Sequence, residues 1–308
     1  MVLRAAISTS SFAQDDDTPL KKLHVHGVTV VPNPYGRRLS EDEIIAHLDG
    51  IDGLIAGLEP LKRRVLSSAK SLKAIARVGI GIANVDMDAA KELGIKVSNT
   101  PEGPTDAVAE MTITALLALI RQVIPSNTDM HEGKWKKRIG FGLQGMKVLL
   151  IGYGRIGRRV RQLLKAFGAE IMVCDPFIDG SALQDGDQLV DLPSGLAQAE
   201  VISLHASGVD PILGKNEFER LQPGAILLNA ARAELVDEPA LVQALEKGRL
   251  AKVWFDVFWE EPYAGELVRY PQVLLTPHVA TYTKQCRLSM ESAAVENLLC
   301  DLGLTKPT

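Results

Sequence analysis

Three side chains suited to acid–base and anion chemistry stand just past short apolar runs in the last third of the chain. Arg232 follows "AILLNA", Glu261 lies in "FDVFWEEP" after "KVW", and His278 follows "VLLT". Taken singly, each is compatible with an ordinary loop role: an arginine facing solvent, a Glu before Pro, a His capping a turn. Taken together they form a working set. The planar fork of an arginine matches a carboxylate bidentately and polarises a carbonyl beside it. A histidine exchanges a proton near neutral pH. A carboxylate next to the imidazole favours its charged form. Arg232 is flanked by Ala231 and Ala233 instead of acidic partners, so a bound anion is a natural counter-charge.

The strongest local motif is "MKVLLIGYGRIGRRVRQLLKAFGAEIMVCDPF". Gly152, Gly154 and Gly157 give G-x-G-x-x-G between an apolar strand and the opening of a helix. The first glycine permits the tight turn, the second lets the backbone approach a pyrophosphate, and the third lets helix and strand pack closely. A diphosphate then sits at the positive end of the helix, near Tyr153 and the amides of Arg155 and Ile156. Asp175 ends the next apolar run, about twenty residues on, where a carboxylate accepts from the adenosine ribose hydroxyls. It would repel a 2′-phosphate, and Pro176-Phe177 supplies no arginine to hold one. The expected cofactor is therefore NAD. Joined to Arg232, Glu261 and His278, it points to hydride transfer between NAD(H) and a 2-oxo or 2-hydroxy acid.

The elements that must position these residues are legible as an alternation of short apolar runs and amphipathic stretches, the signature of α/β folding with parallel sheets covered by helices on both faces. Strands are expected at "LRAAIST", "VTVV", "GLIAG", "KAIARVG" and "IKVSN". A second series follows at "KVLLIG", "EIMVCD", "EVISLH", "AILLNA", "KVWFDVF" and "VLLTPHV". One long helix is expected over "TDAVAEMTITALLALIRQVI". The change of series near residues 98–104 marks a domain boundary. Residues 1–100 together with 282–308 form a substrate domain if the last helix crosses back, and 101–281 form the dinucleotide domain.

"GYGRIG" with Asp175, then "NAARAELVDEPAL", "DVFWEEP" and "TPHVATYT", in that order, strongly resemble the D-2-hydroxyacid dehydrogenase family, as do "LKAIARVGIGIANVD" and "AAKELGIKVSNTPEGPTDAVAE" in the first half. The resemblance implies two doubly wound domains, a Rossmann domain inserted in a flavodoxin-like one, without a C-terminal regulatory domain. It implies that Arg232 binds and polarises a 2-oxo acid, that His278 is the proton donor or acceptor, and that Glu261 supports the histidine. Ile80 and Gly81 would offer amides to the substrate carboxylate. Ala230, Ala231 and Asp256 would line the nicotinamide side, with His205, Ala206 and Ala280 also by the cofactor. A homodimer is implied, with an interface role for Trp135. Three departures stand out. Ala83 replaces the usual Asp before Asn84, Ala233 replaces the usual glycine after the arginine, and the loop "LHASGVDPILG" near Ser207 is shorter than usual. Ala56, Gly57 and Leu58 offer no cation after the third strand, which disfavours a phosphorylated substrate, although Lys62, Arg63 and Arg64 are near in sequence. Tyr282 resembles members that reduce pyruvate or branched 2-oxo acids, or it packs at the domain junction. The alternatives are an NAD-sensing, corepressor-like binding protein and oxidation of the phosphoglycerate or phosphite type.

Composition sets the remaining bounds. The 308 residues are 46% hydrophobic and 23% charged, with formal net charge −4, which fits a globular protein of two domains. The balance disfavours nucleic acid as a partner. The lack of a long apolar run disfavours a membrane span and makes a cytoplasmic location the default expectation. The three cysteines, Cys174, Cys286 and Cys300, have no metal-ligand or disulfide spacing.

Overall fold

Both expected strand series form parallel sheets. The computed structural model describes residues 2–184 and 186–306, and the chain divides into two units, Met1–Pro104 with Tyr282–Thr308, and Thr105–Thr281.

In the first unit the strands are β1 (Arg4–Ile7), β2 (Thr29–Val31), β3 (Gly53–Ala56), β4 (Ala74–Arg77) and β5 (Lys96–Asn99). They are ordered β2-β1-β3-β4-β5 with all pairs parallel. This is the flavodoxin-like order, whose reversal of direction lies between β1 and β3. Alternate residues Ala6, Leu54, Ala56 and Ile75 join one apolar cluster with Ile44, Leu66 and Ala89 from the covering helices. The last helix, Lys284–Asp301, packs on the same sheet, with Leu298 filling the space left by Gly53. Its N-cap Thr283 accepts a hydrogen bond from the Cys286 amide (3.2 Å), satisfying a donor that the helix itself cannot.

The second unit carries β6 (Lys147–Ile151), β7 (Glu170–Cys174), β8 (Gln188–Leu189), β9 (Val201–Leu204), β10 (Ala225–Asn229), β11 (Leu250–Phe255) and β12 (Val273–Leu275), in the order β12-β11-β10-β9-β6-β7-β8. Its centre is the doubly wound dinucleotide order, with the switch point between β6 and β9. Period-two alternation divides the strands between two cores. Leu149, Ile151, Leu227 and Phe255 face one cluster; Val148, Leu150, Leu228 and Trp254 face the other. Burial on both faces explains the nearly continuous apolar runs. It also confines polar chemistry to the strand ends.

Two elements differ from the sequence reading. The edge strand β8 is additional: two residues long, exposed and containing Gln188, it has too little apolar pattern to be seen. The single helix expected over residues 105–124 is two, Pro104–Ile120 and Val123–His131, bent by 61°. Gln122 adopts a left-handed conformation at the break (φ 53°), which ends the first helix without a Gly or Pro to announce it. No single helix among the described residues is long and apolar enough to cross a membrane.

Candidate active site

The turn leaving β6 is built on close approach. Gly152 has φ 95°, and a Cβ there would lie 2.6 Å from the Ala206 nitrogen and the His205 carbonyl carbon. A Cβ on Gly157 would overlap the Gly152 carbonyl oxygen. Gly154 is different: nothing lies within 4 Å of the position its Cβ would take, and it caps the helix Arg155–Ala166 from extended backbone. The open face at the N-terminus of this helix fits a diphosphate. Around this turn, Tyr153 is buried and gives its amide to the Asp175 carboxylate (2.7 Å), so its side chain shapes the loop from beneath. The other Asp175 oxygen accepts from the Phe177 amide (2.9 Å). Each oxygen keeps a second acceptor site for a ribose hydroxyl.

His205 and Ala206 leave β9 beside this turn. The His205 amide donates to the Ile151 carbonyl (2.7 Å), and Nε2 lies 2.9 Å from Ser203 Oγ. Burial pushes the imidazole down to about 4, so it is neutral at ordinary pH.

The ends of the neighbouring strands β10, β11 and β12 carry Arg232, Asp256 with Glu261, and His278. Asn229, fully buried at the end of β10, shapes the arginine's loop: Oδ1 accepts from the Ala231 amide (3.0 Å) and Nδ2 donates to the Arg232 carbonyl (2.8 Å). Ala230, Ala231 and Arg232 are half-buried in this short segment. Among the described residues the Arg232 guanidinium bonds the Ala231 carbonyl (2.6 Å) and pairs with no carboxylate. Ala233 begins a short 3-10 turn, Ala233–Leu235, with no positive φ. A Cβ is therefore accepted there without strain.

The histidine's loop is gripped from below. Asp256 is fully buried, and its carboxylate accepts from Thr276 Oγ1 (2.5 Å), the Val279 amide (2.9 Å) and the Ala280 amide (2.8 Å). Trp254 Nε1 donates to the same threonine hydroxyl (2.9 Å). Burial raises the Asp256 carboxyl above its usual range, opposed by those hydrogen bonds and by the nearby His278. All three contacts hold the loop. His278 itself has φ 55°, a conformation that costs a β-carbon residue of order 1 kcal/mol or more and that the two following amides, anchored on Asp256, maintain. Its Nδ1 lies 3.0 and 3.1 Å from the two Glu261 oxygens. Nε2 has no hydrogen-bond partner among the described residues.

Sequence reasoning missed Asn229 and Thr276. The available signal was a polar residue closing an otherwise apolar strand.

Residues 113–280 match the model of the D-isomer specific 2-hydroxyacid dehydrogenase NAD-binding domain. A D-3-phosphoglycerate dehydrogenase of Archaeoglobus fulgidus is 34% identical over 85% of this chain and 51% of its own length. A glyoxylate reductase of Thermococcus litoralis is 32% identical over 83% of this chain and 81% of its own. The chain belongs to the D-isomer specific 2-hydroxyacid dehydrogenase family. Among solved structures, the TT0316 protein of Thermus thermophilus is similar with a TM-score of 0.89 at 33% identity, covering 99% of this chain and 98% of that one. The chain spans about half the length of the phosphoglycerate dehydrogenase it matches. The matched model is an NAD-binding domain, and the residues it covers include the glycine turn and Asp175.

Three outcomes test these local assignments. Gly157→Ala should lose about 2 kcal/mol or more of stability by overpacking, read as a lower unfolding midpoint. Gly154→Ala should unfold like wild type but bind NADH more weakly by fluorescence titration; unchanged affinity would remove the diphosphate from that face. For His205 the unfolded chain, with a pKa of about 6.5, binds a proton that the folded chain refuses down to about 4. Its contribution is thus present above pH ~6.5 and lost as pH falls toward 4, by at most about 3 kcal/mol. Urea unfolding at pH 7 and pH 4.5 should show His205→Gln losing less stability on acidification than wild type.

Proposed function

We propose that the protein is an NAD-dependent dehydrogenase interconverting a small 2-oxo acid and its D-2-hydroxy acid. The observation that carries this reading is a half-buried arginine that pairs with no carboxylate among the described residues, on the loop leaving β10, and a histidine whose Nδ1 is held by Glu261, on the loop leaving β12, with β11 between the two strands. NADH, when bound, supplies the hydride. Arg232 holds the substrate carboxylate and draws electron density from the 2-oxo group, where negative charge grows during reduction. His278 Nε2 gives its proton to that oxygen, and in the reverse direction removes it. Glu261 fixes the ring through Nδ1 and stabilises the imidazolium. Asp256 and Asn229 position these groups. Ile80 and Gly81 are assigned to the substrate carboxylate; among the described residues neither amide has a hydrogen-bond partner.

The surroundings of β3 favour an unphosphorylated substrate. Arg63 pairs with Glu92 (2.5 Å), Arg64 pairs with Glu41 and Asp42 (2.9 and 2.7 Å), and Lys62 Nζ donates to the Ala83 carbonyl (3.2 Å). These cations already have partners on their own unit.

A homodimer is part of the proposal. Gln122 Nε2 donates to the Ile139 carbonyl (2.6 Å) and the Phe141 amide to the Ile120 carbonyl (3.0 Å), which sets residues 139–141 along the bend between the two helices. Trp135, Ile139 and Phe141 expose 80%, 93% and 66% of their surface, and exposed large apolar side chains that fall together mark interaction sites.

Purified protein should oxidise NADH with at least one small 2-oxo acid, and Arg232→Ala should reduce kcat/KM by about 10³-fold or more. The panel should include hydroxypyruvate with and without its phosphate, each with NADH and NADPH. No turnover with either cofactor would overturn the activity, and NAD-dependent dimerisation without turnover would favour a binding role instead. Light scattering should give a dimer mass that Trp135→Glu combined with Ile139→Asp halves; an unchanged mass places the interface elsewhere.

A further inference from the structure

The amides of Ile80 and Gly81 can serve a carboxylate only if both N–H vectors point the same way, and the first unit contains a device that sets them. In a trans peptide the N–H of one residue is fixed opposite the carbonyl oxygen of the residue before. Aiming the Ile80 amide is therefore the same act as anchoring the Gly79 oxygen. Aiming the Gly81 amide is the same act as anchoring the Ile80 oxygen.

Both oxygens are anchored from the end of β5. The Thr100 amide donates to the Gly79 oxygen (3.1 Å), and the Asn99 side-chain Nδ2 donates to the Ile80 oxygen (2.7 Å). Thr100 Oγ1 also accepts from the Gly79 amide (2.7 Å) and is buried, so Gly79 is clamped at both ends. Beneath the turn, the buried Arg77 guanidinium donates to the Val78 oxygen and occupies the space in which a Cβ on Gly79 would stand. Gly79 has φ 127°, a value open to glycine alone. Three successive carbonyls are thus drawn back by donors, while the two amides opposite them have no partner among the described residues. Donors on the carbonyl side also polarise each peptide unit and strengthen its N–H as a donor. Consecutive outward amides of this kind make an anion-binding concavity. Asn99 is itself held: the Asn297 side chain of the last helix donates to its backbone oxygen (3.0 Å).

We infer that Asn99 and Thr100 are positioning residues for substrate binding, orienting the Ile80 and Gly81 amides toward the carboxylate of the 2-oxo acid without touching it. The inference rests on the function proposed above for those two amides. It assigns carboxylate specificity in part to residues on β5 and at its exit.

Asn99→Leu is near-isosteric and lacks the donor; Thr100→Val lacks the hydroxyl acceptor and Thr100→Ser keeps it. The amides bind the carboxylate in the ground state and the transition state alike, so their loss raises KM with little change in kcat. Asn99→Leu should raise KM for pyruvate, or for whichever 2-oxo acid wild type prefers, by about tenfold, with kcat and KM for NADH within about twofold. It should also shrink the preference for the acid over its neutral amide, a readout that general loosening would not move selectively. Thr100→Val should show the same trend and Thr100→Ser should restore wild-type KM. Unchanged KM in Asn99→Leu, or a parallel loss of kcat and of NADH affinity, overturns the inference. A wild-type protein inactive with every 2-oxo acid removes the proposed activity; the positioning role is then decided by titrating oxalate against the amide NMR signals of Ile80 and Gly81. Shifts present in wild type and weakened in Asn99→Leu support it, and their absence in wild type ends it.

Discussion

The loops of the second unit that carry Arg232 and His278 depend on two buried polar side chains joined through their backbones. Asn229 and Asp256 are both fully buried at the ends of β10 and β11, and the Asp256 amide donates to the Asn229 carbonyl (3.0 Å). From Asn229 hangs the loop bearing Arg232; from Asp256 hangs the loop bearing His278. A buried amide or carboxylate deprived of its partners carries a desolvation cost of several kcal/mol, so any other path for either loop is penalised at its root. The left-handed conformation of His278 survives for the same reason: two amides directly after it are committed to Asp256.

The first unit follows the same rule with other residues. Sheets covered on both faces leave polar groups only the strand ends, and there Ser8 donates to the buried Glu59 (2.5 Å), Glu59 accepts from the Gly57 amide (3.1 Å), and Asn84 donates to the Gly57 and Glu59 carbonyls (3.2 and 2.8 Å). Burial raises the Glu59 carboxyl, and the hydrogen bond from Ser8, the Gly57 amide and nearby Arg77 oppose that rise. Asn84 secures the turn after the Ile80–Gly81 segment. The neighbouring Ala83, which replaces an expected Asp, is exposed and contributes its carbonyl to Lys62. The turn is held without an acid at that position.

What the sequence shows and what it hides divide along physical lines. Doubly buried strands write themselves as apolar runs, and the glycine turn writes itself because Gly152 and Gly157 admit no side chain, so the two-sheet fold and the cofactor turn are legible. Arg232, Glu261 and His278 are legible as chemistry because charged and titratable groups at strand ends are conspicuous. The braces are not. Asn229, Thr276, Asn99 and Thr100 act through contacts with backbone that only folding brings near, and nothing in their types separates them from turn residues. Asp256 is visible as an acid, but its burial and its three loop contacts are not. Ala233 shows the converse: a departure from pattern that looks costly in sequence is harmless once its backbone is seen to avoid positive φ.

Several sheltered arginines in the fold are paired with carboxylates. Arg138 pairs with Asp129, Arg161 with Asp187 and Arg287 with Glu291, each at 2.6–2.7 Å and each partly or largely removed from water. The chain thus supplies a carboxylate wherever it shelters these guanidiniums, as the desolvation cost of an unpaired cation demands. Among the described residues, Arg232 and Arg249 are half-buried and bond backbone carbonyls instead, those of Ala231 and Leu221, and Asn229 holds the Arg232 backbone in place. A cation held in position but denied an internal counter-charge keeps its electrostatic capacity for a ligand. In the function proposed above, an acid placed beside Arg232 would neutralise the charge assigned to the substrate carboxylate and the developing alkoxide.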